Sequence, residues 1–283
     1  MHLGIGGEDA KRRRVVPQLT RNGVALFYDE TGQGDPPILL VHGWCCDHTY
    51  FAPQIEHLRK EHRVVAVDLR GHGRSDKPPQ EYTMEGFADD LAWQCGQLGV
   101  ANPVVIGHSM GGAIALEIAA RLPGWPAAIV LLDSGVLLPH TLVETLQPFQ
   151  RALRTSDYRD AMRQYLTRFF LPTDAPAVKE RIVDAMSAAP QHVAASAYEK
   201  WLRYDSAAAA TACKVPVLAI SSAHPIADLV RFRELCPQLV TGQVVGSAHF
   251  IQLMVPEQVN PMIDRFLAIG LPRPQPAGRP PDG

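Results

Sequence analysis

Read for polarity alone, the chain alternates short apolar runs with longer amphipathic ones. Ile38-Leu39-Leu40-Val41 is an unbroken apolar run, the kind buried on both faces of a parallel sheet. Runs at 63–67, 104–106, 128–132, 215–220 and 239–245 read as further strands. A hairpin is predicted over 15–20 and 24–28, because Asn22-Gly23 suits a tight primed turn. Helices are predicted over 50–60, 113–120 and 256–269, and over 84–98, where Phe87, Leu91 and Leu98 recur at helical spacing. Pro256 suits the first turn of the closing helix. Between 135 and 205 the strands stop. Four helices are predicted there, over 142–154, 158–170, 177–188 and 193–204, as a cap lying over the sheet. The stretch between that cap and the strand at 215 reads as poor in helix.

Strands alternating with helices argue for an α/β fold with right-handed crossovers. The expected layout is a core domain over 15–135 and 206–270 and a helical cap over 136–205. A disordered leader (1–14) and a disordered, Pro-rich tail (271–283) are expected to flank them.

Composition adds limits. Of the 283 residues, 46% are hydrophobic, enough to build a large core. The net charge of -2 gives no reason to expect nucleic acid or an anionic membrane as a partner. Lys11-Arg12-Arg13-Arg14 is a local basic run in the expected leader, read as solvated rather than as a binding patch. No apolar run is long enough to span a bilayer, and the N-terminus lacks the order of a secretory signal. The five cysteines lack metal-like pair spacing and read as reduced thiols, so a cytoplasmic location is expected. Nothing points to a metal or an organic cofactor.

The chemistry centres on Gly107-His108-Ser109-Met110-Gly111-Gly112. An apolar run precedes it and a helix-like run follows. Gly107 and Gly111 bracket Ser109 in the G-x-S-x-G pattern, which fits a strained turn that presents a serine hydroxyl at the end of a sheet. Larger side chains would collide where strand and helix meet. The carboxyl ends of parallel strands are where such folds gather their active groups. His42, Ser109, Asp133 and His249 all follow predicted strands, so the fold would bring them to one edge.

These residues resemble the α/β-hydrolase superfamily. His42-Gly43-Trp44, 68–75, 107–112 and Gly246-Ser247-Ala248-His249-Phe250 occur in that family's order over about residues 15–270. The capped esterase, lactonase and perhydrolase branch fits best. The resemblance implies a mostly parallel eight-stranded sheet flanked by helices, with the cap inserted after the sixth strand. It implies Ser109 as nucleophile and His249 as the base that takes its proton, since imidazole titrates near neutral pH. The backbone N–H groups of Trp44 and Met110 would form the oxyanion hole. Gly43, His108, Leu137, Phe170, Trp201 and Phe250 would line the substrate site.

The acid departs from the family pattern. The usual position, in the loop after the strand at 215–220, holds His224, and Asp228 lies four residues on. A minority of the family carries the acid after the preceding strand, which here is Asp133. Asp133 is therefore the expected acid, with Asp228 or no carboxylate as the alternatives. His42, His72 and His108 read as structural hydrogen-bonding groups. Asp68, Arg70 and Asp76 read as braces for their loop.

The expected reaction is hydrolysis of a small-to-medium carboxylic ester or lactone by a monomer or homodimer. Cofactor-free oxygenation and perhydrolysis are alternatives within the fold, and a slow-hydrolysing small-molecule sensor is the alternative outside catalysis. Epoxide hydrolase and dehalogenase readings suffer because those relatives place an Asp where Ser109 stands.

Overall fold

The structure, a computed structural model, describes residues 17–271. The expected leader with its basic run, and the tail beyond Leu271, lie outside that range.

Eight strands form one sheet. They are β1 (Gln18–Arg21), β2 (Val24–Thr31), β3 (Ile38–Val41), β4 (Val64–Val67), β5 (Val104–His108), β6 (Ala128–Leu132), β7 (Val217–Ser221) and β8 (Leu239–Gln243). Their spatial order is β1-β2-β4-β3-β5-β6-β7-β8. The β1–β2 and β2–β4 pairs are antiparallel. Every other pair is parallel.

Period-two alternation divides the strands between two helical layers. Leu39, Val41, Val65, Val67, Val105, Ile129 and Leu131 face one layer. It holds α2 (Met84–Leu98), α3 (Met110–Arg121) and α8 (Ser206–Ala212). Ile38, Leu40, Val64, Ala66, Val104, Ile106, Val130 and Leu132 face the other. That layer holds α1 (Ala52–Leu58), α10 (Ile251–Met254) and α11 (Pro256–Gly270). Every residue of β3, β4, β5 and β6 is buried, which explains why β3, β4 and β6 are continuously apolar, while β5 closes on Gly107 and His108. Each such aliphatic side chain contributes about 1.5–3 kcal/mol.

The two glycines of the Ser109 motif let strand and helix pack backbone on backbone. A side chain on Gly107 would strike the carbonyl of Gly111, and one on Gly111 would strike the carbonyl of Val41. The helix at 84–98 starts at Thr83, whose hydroxyl accepts from the Gly86 amide, and stops at Gly99 with φ 62°.

Between β6 and β7 run α4 (His140–Ala152), α5 (Tyr158–Leu166), a 3-10 turn (Thr167–Phe169), α6 (Pro176–Ser187) and α7 (Gln191–Leu202), followed by α8. The stretch read as helix-poor thus contains α8. Its run of alanines carries no polar–apolar contrast, so no period marks it. Asp205 caps it, accepting from the Ala208 amide, and Ala209 and Ala210 bury against the core. Between β7 and β8 lies the short α9 (Leu229–Leu235), capped by Asp228.

Three hydrogen bonds tie α7 and its end to the sheet side. The Trp44 indole N–H donates to the Ala194 carbonyl (2.9 Å). The Tyr82 amide donates to the Ser196 hydroxyl (3.0 Å). The Trp201 indole N–H donates to the Gly135 carbonyl (2.8 Å), and the Trp201 ring occupies the space that a side chain on Gly135 would need. No helix among the described residues is long and apolar enough to cross a membrane.

Candidate active site

Ser109 sits where β5 hands over to α3. Its backbone lies at φ 55°, ψ -119°, a region non-glycine residues rarely occupy. The Ser109 amide donates to the Leu132 carbonyl (3.0 Å), and its carbonyl accepts from Gly112 (3.0 Å), so the strained turn is held from both sides.

The Ser109 hydroxyl lies 2.9 Å from Nε2 of His249. Nδ1 of the same ring lies 2.7 Å from Oδ2 of Asp133. The other carboxylate oxygen, Oδ1, accepts from the Ser222 amide (2.8 Å). One unbroken relay therefore runs from hydroxyl to imidazole to carboxylate. Burial pushes the Asp133 carboxyl up. The hydrogen bond and charge of His249, with the Ser222 amide, outweigh it and leave Asp133 below the usual carboxylate range. The carboxylate is thus ionised at neutral pH.

Asp133 follows β6, and Asp228 is elsewhere. The Asp228 carboxylate caps α9 by accepting from the Arg231 amide (3.0 Å). Its own amide donates to the Leu137 carbonyl (3.1 Å). His224 is exposed at the cavity edge.

The amides of Met110 and Trp44 flank Ser109, one at the first turn of α3 and one in the turn after β3. Neither donates to a protein acceptor among the described residues. Their side chains are buried, and the Trp44 ring meets Tyr198 edge-on at 5.2 Å.

Above the relay opens a cavity of about 330 Å³. Of the residues expected around the substrate, Gly43, His108, Phe170, Trp201 and Phe250 line it. Leu137 does not. It is buried with φ 49°, and its amide and carbonyl are tied to the Ser206 hydroxyl and the Asp228 amide. The wall position belongs to its neighbour Leu138. A positive φ at a leucine turns the chain in a way that hydropathy alone does not announce. Leu142, Leu146 and Met186, together with Tyr165, Arg168 and Tyr198, also line the cavity. No motif singled them out, since they converge from separate helices.

The surrounding histidines are held neutral. His108 donates from Nε2 to the His249 carbonyl (3.0 Å), and burial, aided by nearby His249, drops its pKa to about 3. His42 donates from Nδ1 to the Gly43 carbonyl and accepts the Leu69 amide on Nε2. Burial likewise drops His72 to about 3. Asp68 braces the 68–75 loop by accepting from His48 and the Arg74 amide. Arg70 braces it through Asp90, and Asp76 through the Ala25 amide. Asp47, His48 and Asp68 are close enough together to hold a metal ion. Both Asp68 oxygens already accept protein hydrogen bonds there. Cys46 lines the cavity, and burial keeps its thiol protonated.

The neutral histidines give a pH expectation. His72 and His108, folded, take up protons only near pH 3, whereas unfolded they do so near 6.5. Between those values the unfolded chain binds more protons, so stability falls as pH falls. Burial lowers His48, but its hydrogen bond with Asp68 and the charges of Asp68 and Asp47 together outweigh it and raise its pKa, so it works in the opposite sense. His72 and His108 each cost about 2 kcal/mol of stability between pH 7 and pH 5. His42, lowered by burial, adds to the loss and His48 opposes it, so a fall in stability is expected over that range, read from urea unfolding. A midpoint that stays constant over that range would contradict it.

Comparison with known proteins agrees with this architecture. A family described as the alpha/beta hydrolase fold matches residues 36–181. A bifunctional esterase/perhydrolase from Acinetobacter calcoaceticus is 38% identical over 128 residues, 44% of this chain and 46% of that relative. The chain spans less than half the length of two of its curated relatives. A 2-(acetamidomethylene)succinate hydrolase from Mesorhizobium japonicum (strain LMG 29417 / CECT 9101 / MAFF 303099) is 26% identical over 259 residues, 86% of this chain and 92% of the relative. The crystal structure of the enol-lactonase from Burkholderia xenovorans LB400 superposes with a TM-score of 0.81 at 25% identity, covering 89% of this chain and 100% of that one. With its mostly parallel eight-stranded sheet and a family match over more than half of its length, the chain belongs to the alpha/beta hydrolase fold family.

Proposed function

We propose that this protein is a serine hydrolase that cleaves a small-to-medium carboxylic ester or lactone through an acyl-enzyme on Ser109. The observation that carries this reading is the relay from Ser109 Oγ to His249 (2.9 Å) to Asp133 (2.7 Å). A serine hydroxyl is a weak nucleophile unless a base takes its proton as it attacks. His249 Nε2 takes that proton while Oγ bonds to the carbonyl carbon. Asp133 fixes the tautomer with N–H on Nδ1 and stabilises the imidazolium. The carbonyl oxygen becomes an oxyanion, to which the Trp44 and Met110 amides donate. Collapse breaks the bond to the alkoxy oxygen, which leaves with the proton from His249. Water, activated by the same imidazole, then releases the acid and restores Ser109.

Helices α4–α7 act as a cap that supplies most of the apolar wall. The relatives named as esterases and as an enol-lactonase support ester or lactone chemistry. A fluorophosphonate probe tests the reading, because it phosphonylates an activated serine. The expected result is one adduct per chain, on the peptide holding Ser109, with parallel loss of p-nitrophenyl ester turnover. A burst of one equivalent followed by almost no turnover would favour the sensor. No adduct and no turnover would remove the hydrolase reading and turn attention to oxygen uptake.

A further inference from the structure

The cavity has a polar end that the proposed chemistry does not use. Among the described residues Asp133 is the only carboxylate in its lining, and both Asp133 oxygens are occupied. Further up the wall stand Tyr165, Arg168 and Tyr198. The Tyr198 hydroxyl donates to the Tyr165 oxygen (3.1 Å). The Tyr165 proton then finds no acceptor among the described residues. Burial raises this phenol's pKa, so it stays a neutral donor. The Arg168 guanidinium lies 6.0 Å from the Tyr165 ring and pairs with no carboxylate among the described residues. Its helical neighbour Arg163, by contrast, pairs with Asp184 of α6 (2.7 Å).

These donors are tied to the reactive centre. The residue after Arg168 is Phe169, whose carbonyl accepts the His249 amide (3.3 Å). The Phe169 ring lies 4.5 Å from the His249 ring and 5.3 Å from that of Tyr165. Arg168 and Tyr165 therefore lie one aromatic ring beyond the base. Leu138, Leu142 and Phe170 make the wall around this stretch apolar.

We infer that Arg168 and Tyr165 form a carboxylate subsite, and that the substrate is an ester or lactone carrying a free carboxylate at the end of a short hydrocarbon spacer. One guanidinium balances one negative charge and by itself can donate to both oxygens of a carboxylate, and Arg168 is exposed where it lines the cavity beside Tyr165. The doubly charged phosphate group would leave one charge unbalanced. The apolar stretch houses the spacer and disfavours polar groups along it. The inference rests on the ester-cleaving reading of Ser109, but the subsite has its own readout.

The test compares ethyl hydrogen succinate, glutarate and adipate with neutral ethyl esters of equal chain length, followed by proton release. The wild type is expected to favour one half-ester by about 10- to 100-fold in kcat/KM. Arg168→Gln is expected to bring that ratio near one. Tyr165→Phe is expected to lower it several-fold, and Arg168→Lys to keep part of it. Equal kcat/KM for charged and neutral esters in the wild type, or a ratio unchanged in Arg168→Gln, overturns the subsite and leaves the hydrolase standing. If the wild type cleaves neither ester, the hydrolase reading fails, and calorimetry with pentanoate decides the subsite alone. Binding lost in Arg168→Gln sustains it. Absent binding, or binding equal in both proteins, overturns it.

Discussion

Ser109→Ala is expected to lower kcat for p-nitrophenyl esters by about 10⁴- to 10⁶-fold while leaving the fold intact. The substitution removes one oxygen whose hydrogen bond is to His249 Nε2. The amide and carbonyl of residue 109 keep their partners at Leu132 and Gly112, so the turn should hold. The hydrophobic layers beneath it are untouched. His249→Ala should cost a similar amount, and the double variant little more, because the two groups act as one unit. Rates for the three variants and a thermal melt for each check this together. A Ser109→Ala protein retaining more than about a hundredth of wild-type turnover, well above the expected residue, would remove the acyl-enzyme from the mechanism.

Asp133→Asn should lower kcat by about 10⁴-fold, and Asp228→Asn by less than about two-fold. An amide in place of the Asp133 carboxylate can present N–H to His249 Nδ1. That stabilises the tautomer whose proton is on Nε2, where Ser109 needs an acceptor. The buried carboxylate also balances the imidazolium during reaction, and an amide does not. Asp228 caps α9 through its side-chain oxygen, and asparagine caps a helix about as well. Asp228→Asn should therefore melt close to wild type. Steady-state kinetics on the pair decides the matter: the reverse ranking would transfer the acid's role to the loop after β7.

Much of the core was legible because its signals are local. Apolar runs bound β3 and β6, and the spacing of Phe87, Leu91 and Leu98 marks the helix over 84–98. The Ser109 turn was visible because only glycine fits the approach of β5 to α3. The missed elements lack such signals. α8 is alanine-rich and has no polar face to set a period. α10 is a single turn, stabilised by the burial of Ile251 rather than by pattern. At the site, residues at strand ends could be read from topology, and the structure brings Ser109, His249 and Asp133 into contact. The wall could not be read the same way. Hydropathy offers Leu137 and Leu138 alike, and only Leu138 faces the cavity because of one left-handed residue. Tyr165, Arg168 and Tyr198 meet only after α5 and α7 pack, which is a tertiary event without a motif.

The Trp44 indole shares its peptide with one of the two amides that flank Ser109, and it is hydrogen-bonded to the Ala194 carbonyl in α7. Substrate entry that lifts α7 must either break that bond or drag the turn after β3 with it. α7 and the Trp44 amide beside Ser109 are thus mechanically linked. Random variation along α7 would register first as altered kcat, even at positions that never touch the acyl group. Library design for new substrates should vary α4, keep the 3-10 turn whose Phe169 carbonyl holds the His249 amide, and leave the α7 segment around Ala194 as the fixed pivot.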